Sequence, residues 1–170
     1  SDFVYGVITD DLIENIHRIA KKFNLILIAD LQCSTQIGSI TKFKDFSLLC
    51  PNEREARVAL QDNFNSLEFL SQKLLTITRT RSLVMKLGAS GFIVYDKSQE
   101  GGIIKQSFPA LSVNPVDVSG AGDSLLAAMA TGLASGNSTM VSAALAACMS
   151  GLAVKIMGNI PIESQALRKF

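Results

Sequence analysis

Apolar positions along the chain follow two rhythms. Over 10–23, Leu12, Ile13, Ile16, Ile19, Ala20 and Phe23 recur at helical spacing and predict an amphipathic helix, with Thr9 or Asp10 as its cap. Residues 25–29 then run apolar without a break and end at Asp30, the form of a strand buried on both faces of a parallel sheet. Residues 46–49 read as the next strand, which Pro51 stops, and Asn52 opens a helix that continues to Leu60. A further helix is expected over 66–78, with Leu67, Leu70, Leu74, Leu75 and Ile77 apolar. Ahead of all these, 3–6 reads as the tail of a strand. Beyond Arg81 the rhythm changes. Strands are expected at 82–87, 92–95 and 103–108, separated by a tight turn at 88–91 and a break at Gly101-Gly102, which suggests an antiparallel meander. Helices over 121–134 and 138–157 and a short segment at 162–168 complete the pattern.

Alternation of strand and helix in the first half implies a parallel α/β sheet with right-handed crossovers. The second half adds the meander and two packed helices. With no long linker and no internal repeat, residues 1–170 read as one partial domain.

Composition narrows the function classes. The chain is 48% hydrophobic with no Trp, so its core is built from Leu, Ile, Val and Ala, and the composition argues against disorder. Net charge is +1, and the densest basic stretch, Thr78-Arg79-Thr80-Arg81, carries no interleaved aromatics, which argues against nucleic acid. Three cysteines at no ligand-like spacing suggest neither a disulfide framework nor a zinc site, and a cytoplasmic setting is expected. Cys148 reads as a small buried hydrophobe. The longest apolar stretch, 141–157, contains Ser142, Ser150 and Lys155 and many small residues, so a packed helix is expected there and no membrane span. The one histidine, His17, shares a polar helix face with Asp10, Glu14 and Lys21 and reads as a solvated surface residue, which removes His-based triads.

Candidate chemistry concentrates in three places. Asp117-Val118-Ser119-Gly120-Ala121-Gly122-Asp123-Ser124 is a small-residue turn running into a helix start. Backbone N–H groups there, with the helix dipole, favour an anion such as phosphate. Asp123 falls in the first turn, where a carboxylate serves either as a cap or beside that anion. Asn52-Glu53-Arg54-Glu55 places polar groups at a helix start just after a strand, the ligand-binding edge of a parallel sheet; a plain capping box is the alternative. Lys86-Leu87-Gly88-Ala89-Ser90-Gly91 is a glycine turn whose lysine either meets a phosphate as a point charge or is simply exposed on a hairpin.

In this order and spacing the three segments resemble the ribokinase/PfkB family of carbohydrate kinases. The hallmark Asp-Thr-x-Gly-Ala-Gly-Asp is matched at 117–123 with Val118 in place of Thr, Asn-x-x-Glu at 52–55, and Thr-Leu-Gly-x-x-Gly at 86–91 with Lys86 in place of Thr. The resemblance implies that Gly120, Ala121 and Gly122 form an anion hole for the transferred phosphoryl group and that Asp123 is the catalytic base. It implies that Asn52, Lys86, Gly88 and Gly91 face the phosphates of ATP and that Glu55 holds Mg²⁺ through water. It also implies that Asp117 and Ser119 lie where many members bind a monovalent cation such as K⁺. The adenine pocket would lie between the Gly88 turn and the late helices, with Ala147 or a neighbour replacing a usual polar contact.

Tyr5-Gly6-Val7-Ile8-Thr9, Leu49-Cys50-Pro51-Asn52-Glu53 and the 117–123 segment look nearest to the heptose-phosphate kinase branch, with Asp30-Leu31-Gln32 where that branch carries Asp-Pro-Lys. The implied fold is a ribokinase-like three-layer α/β/α with a partly parallel central sheet, its N-terminal part and lid missing here. The family's sugar-binding Asp and β-lid belong to that part. The chain is therefore expected to be a fragment, a split subunit or a truncated protein, inactive alone and prone to self-association. Its partners would be ATP, a small sugar or sugar phosphate, and the missing N-terminal part. A non-catalytic nucleotide-binding or regulatory module of the same fold is the rival reading. The glycine fingerprints of Rossmann dehydrogenases and P-loop kinases are absent.

Overall fold

The structure, a computed structural model, describes residues 1–32, 38–112, 114–158 and 160–169. Its elements in chain order are α1 (Asp10–Phe23), β1 (Ile28–Ala29), β2 (Leu48–Leu49), α2 (Glu53–Leu60), α3 (Leu67–Ile77), β3 (Ser82–Lys86), β4 (Phe92–Lys97), β5 (Ile103–Phe108), α4 (Ala121–Ala134), α5 (Thr139–Ala153) and α6 (Ser164–Arg168). The strands form one sheet in the order β1-β2-β3-β4-β5. β1 pairs parallel with β2, and β2 parallel with β3. The connections 87–91 and 98–102 are far shorter than the roughly dozen residues a parallel crossover needs, so β3, β4 and β5 form the expected antiparallel meander and the sheet is mixed. No helix among the described residues is long and apolar enough to cross a membrane.

The chain divides into two compact units, one of Ser1–Met85 with Tyr95–Ile104 and one of Lys86–Val94 with Lys105–Phe170. In the first, side chains write the helix starts. Thr9, Asn52 and Ser66 each accept a first-turn N–H of α1, α2 and α3. The core there is aliphatic, with Leu31, Leu48, Leu49, Leu70, Leu74, Leu75, Leu83 and Val84 fully buried. The expected strand over 25–29 is shorter, and Leu25 and Ile26 are 54% and 46% exposed. The reason is local. Asn24 is left-handed at the end of α1 and Leu25 donates its N–H to the Ala20 carbonyl, so residue 25 belongs to a helix-terminating motif. The strand tail expected at 3–6 is also absent. Val4 and Gly6 have positive φ, and among the described residues the pairing there is an isolated parallel bridge from Asp2 to Leu31. His17 is half-buried rather than solvated, edge-on to Phe46 at 5.3 Å.

In the second unit α4 packs on α5. A Cβ on Gly132 would lie 2.6 Å from Ser142 Oγ, so the glycine is what lets the two helices close up. Met129, Ala128, Ala143 and Ala146 fill that interface, and Cys148 is half-buried on α5. Phe92 and Phe108 stack at 5.1 Å between centroids. α5 ends at Ala153, short of the expected Met157. The Val154 carbonyl accepts the N–H groups of Val116 and Asp117, while Gly158, whose N–H would have continued the helix, donates to Asp117 instead.

Candidate functional site

The start of α4 differs from those of α1, α2, α3 and α5. Gly120 is its N-cap, in the left-handed region at φ 74°, and offers no side-chain acceptor. Ala121 donates a long turn bond of 3.3 Å to Val118, whereas the Gly120 and Gly122 amides have no acceptor among the described residues. Half-buried Asp123 lies in the first turn and Ser124 closes it by donating to the Gly120 carbonyl at 2.8 Å. Lys86, at the end of β3, brings a cation to the same place: a Cβ built on Gly122 would lie 3.8 Å from its ammonium. Amides with no acceptor among the described residues, the positive end of a helix and an ammonium together make an anion site.

These residues border a cavity of about 630 Å³ lined by Lys86, Gly88, Ala89, Gly91, Phe92, Pro109–Ser112, Pro115, Val118, Ala121, Gly122, Leu125, Ser150, Gly151 and Val154. That volume suits a nucleotide-sized ligand. The expected residues Lys86, Gly88, Gly91, Ala121 and Gly122 are thus brought to one cavity, with Gly120 and Asp123 adjoining in the chain but outside the lining. Gly91 shapes the cavity: it has φ 87°, and a Cβ there would sit 2.1 Å from the Phe108 carbonyl oxygen.

Asp117 braces the loop before α4. Its Oδ1 accepts the Ser119 N–H and its Oδ2 the Gly158 N–H, each at 2.9 Å. The Ser119 amide first, and the Gly158 amide next, hold this carboxyl below its ordinary 3.8. The folded pKa lies below the unfolded one, so this stabilisation is present above about pH 4 and is lost as pH falls through the folded value. An Asp117→Asn variant can still accept from Ser119 but not from both amides. It is expected to be less stable than the parent at pH 6, with the gap closing below pH 3, in urea titrations followed by circular dichroism.

Asn52 and Glu55 belong to the first unit and form a reciprocal capping box at the start of α2. Asn52 Oδ1 accepts the Glu55 N–H at 2.8 Å and Glu55 Oε2 accepts the Asn52 N–H at 2.7 Å. Glu55 is 3% exposed. Among the described residues no three His, Cys, Asp or Glu side chains cluster as a metal cage. A single carboxylate of this kind fits a magnesium ion that keeps its waters and is held mainly by phosphate oxygens.

With this geometry in place, comparison with known proteins is decisive. The family model described as "pfkB family carbohydrate kinase" matches residues 7–165. The chain belongs to the pfkB family of carbohydrate kinases. It is 30% identical over 172 aligned positions to the bifunctional protein HldE of Desulfatibacillum aliphaticivorans, covering 99% of this chain and 33% of that protein. To HldE of Sulfurimonas denitrificans it is 25% identical, covering 100% of this chain and 34% of the relative. The chain thus spans about a third of the length of the curated relatives it matches. Ribokinase from Thermotoga maritima superposes with a TM-score of 0.74 at 25% identity, over 92% of this chain and 52% of that one. Arabidopsis thaliana ribokinase, solved with ribose and ATP, gives 0.76 at 24% identity, over 95% of this chain and 52% of its own. The fold is therefore ribokinase-like.

Within this pfkB-family chain, sequence reasoning missed one whole wall of the cavity. Pro109, Ala110, Leu111, Ser112 and Pro115 line it, as do Val118, Leu125 and, from α5, Ser150, Gly151 and Val154. The proline pair after a strand was a usable signal of an extended loop. That the late helices border the pocket was implied by the family resemblance, but the residues that line it there are Ser150, Gly151 and Val154 and not Ala147, since a helix rich in small residues shows no dominant face in its sequence.

Proposed function

We propose that this chain is the nucleotide-binding, catalytic portion of a sugar kinase, carrying out phosphoryl transfer from ATP to a hydroxyl of a sugar or sugar phosphate. The HldE relatives, together with the segment likeness noted above, favour a heptose phosphate as acceptor. One observation carries the reading: a helix start with no side-chain cap beside the Lys86 ammonium, at the lip of a nucleotide-sized cavity.

Asp123 accepts the proton of the acceptor hydroxyl as that oxygen bonds to the γ-phosphorus, and the bond from phosphorus to the β–γ bridging oxygen breaks to release ADP. The Gly120 and Gly122 amides, with Lys86, face the charge that develops on the moving group. Gly88 and Gly91 shape the turn along the phosphates, and Asn52 is proposed as a nucleotide contact from family likeness alone. Magnesium, when bound, neutralises β- and γ-phosphate oxygens, with Glu55 as the residue proposed to hold its water. A potassium ion at the Asp117–Ser119 turn is proposed from family likeness alone, sharing the carboxylate with the amides it already accepts.

Lys86→Gln is expected to weaken binding of ATP and of inorganic tripolyphosphate by a similar factor, about tenfold, in calorimetric titration. No change in tripolyphosphate affinity would remove Lys86 from the anion site. The purified 170-residue chain is expected to bind ATP without turning over a sugar, since it spans about half the length of the ribokinases on which it superposes. Heptose-phosphate-dependent ADP release by this chain alone would overturn that expectation.

A further inference from the structure

The loop ahead of α4 is tied to the segment that follows α5 by groups of this chain. The Val154 carbonyl accepts the Val116 N–H at 2.7 Å and the Asp117 N–H at 3.2 Å, and Asp117 Oδ2 accepts the Gly158 N–H at 2.9 Å. Asp117 Oδ1 accepts the Ser119 N–H at 2.9 Å, one residue before the Gly120 cap. One carboxylate therefore clasps both segments and fixes the approach to the anion-site amides. Positive charge is supplied locally as well. Lys86 stands where the family resemblance expects Thr, and its ammonium would lie 3.8 Å from a Cβ on Gly122. Among the described residues that line the cavity, it is the one with a charged side chain.

A monovalent cation beside such a loop can help an anion bind in two ways. It can draw oxygens of two segments together, and it can add positive charge near the ligand. It changes anion affinity only by what it supplies beyond the protein itself, because two ligands are coupled only through differential interaction. Here Asp117 and the Gly158 amide already perform the first task and Lys86 the second. An ammonium tethered to the chain also needs no capture from solution, which a free ion does. We propose that the anion site of this chain is self-sufficient: Lys86 and the Asp117–Gly158 clasp do the work of a potassium ion, and triphosphate binds equally well without one. A potassium ion that shares the Asp117 carboxylate is then a bystander to binding. The proposal rests on the anion-site reading above and adds to it independence from a monovalent cofactor.

The test is calorimetric titration of inorganic tripolyphosphate into the purified chain in potassium chloride and in tetramethylammonium chloride. Equal ionic strength keeps general screening the same in both. The two affinities are expected to agree within about fivefold, below the range of ordinary coupling between sites. A larger gain in potassium would overturn the proposal. Lys86→Thr, which restores the residue of the resemblance, is expected to bind more weakly in tetramethylammonium chloride and to gain more than about fivefold in potassium. A variant as indifferent to potassium as the parent would also overturn it, since Lys86 would then not stand in for the ion. Association of potassium with tripolyphosphate itself acts alike on parent and variant, so the difference between them reports the protein. Lys86 is half-buried at the end of β3; should the variant fail to fold, the two salts on the parent decide the matter alone. No binding by the parent in either salt would overturn the underlying anion-site reading instead.

Discussion

Replacing Asp123 by Asn is expected to lower sugar-dependent ATP turnover by about two to four orders of magnitude while changing ATP affinity only slightly. The substitution keeps size and shape in the first turn of α4 and removes only the ability to take a proton. Asp123 is also at a position where an acidic side chain favours the helix dipole, a contribution of about 0.3–1 kcal/mol. The two roles separate cleanly. A cap alone predicts a slightly lower melting temperature and nearly unchanged turnover; a base predicts a collapse of kcat with a stable protein. The measurement belongs in a preparation that shows sugar-dependent turnover, with kcat, KM for ATP and thermal stability read on the same sample. A variant within tenfold of the parent in kcat would reject Asp123 as the base and favour a nucleotide-binding module that does no chemistry.

Much of the architecture was legible because helix signals are local. The residues that cap α1, α2, α3 and α5 sit within one turn of the amides they satisfy, so Thr9, Asn52, Ser66 and Ser138 announce their helices in the sequence. Strand extent is not local. Leu25 and Ile26 carry the apolar signal of a strand but are drawn into the end of α1, and nothing in a five-residue window distinguishes the two fates. The candidate site divides in the same way. The glycine turn and Asp123 are contiguous and stand out in the sequence, whereas the brace from Asp117 to Gly158 joins residues far apart in the chain, and neither residue type signals it. The capping box at 52–55 shows the opposite difficulty: its sequence fits both a helix cap and a phosphate-side site, and the structure displays the cap.

Gly91→Ala is expected to cost about 3 kcal/mol or more of stability and to abolish nucleotide binding with it. Two effects add at this position. The backbone lies at φ 87° and ψ −130°, outside the regions open to an L side chain. A Cβ would also meet main chain on the next strand, 2.1 Å from the Phe108 oxygen and 2.7 Å from the Ala110 nitrogen. Main chain cannot rotate away as a side chain can, so the 108–110 segment must shift, and Pro109 and Ala110 are cavity wall. Gly88 is the control. It too has positive φ, at 58°, but a Cβ there meets nothing within 4 Å. Gly88→Ala therefore carries only the left-handed penalty, about 1–2 kcal/mol, and is expected to leave most nucleotide affinity in place. Urea midpoints and ATP titrations on the two variants distinguish the readings. If both lose binding equally, the glycines serve close approach of the ligand itself; if Gly91→Ala alone does so, its part is to seat one wall of the pocket against the other.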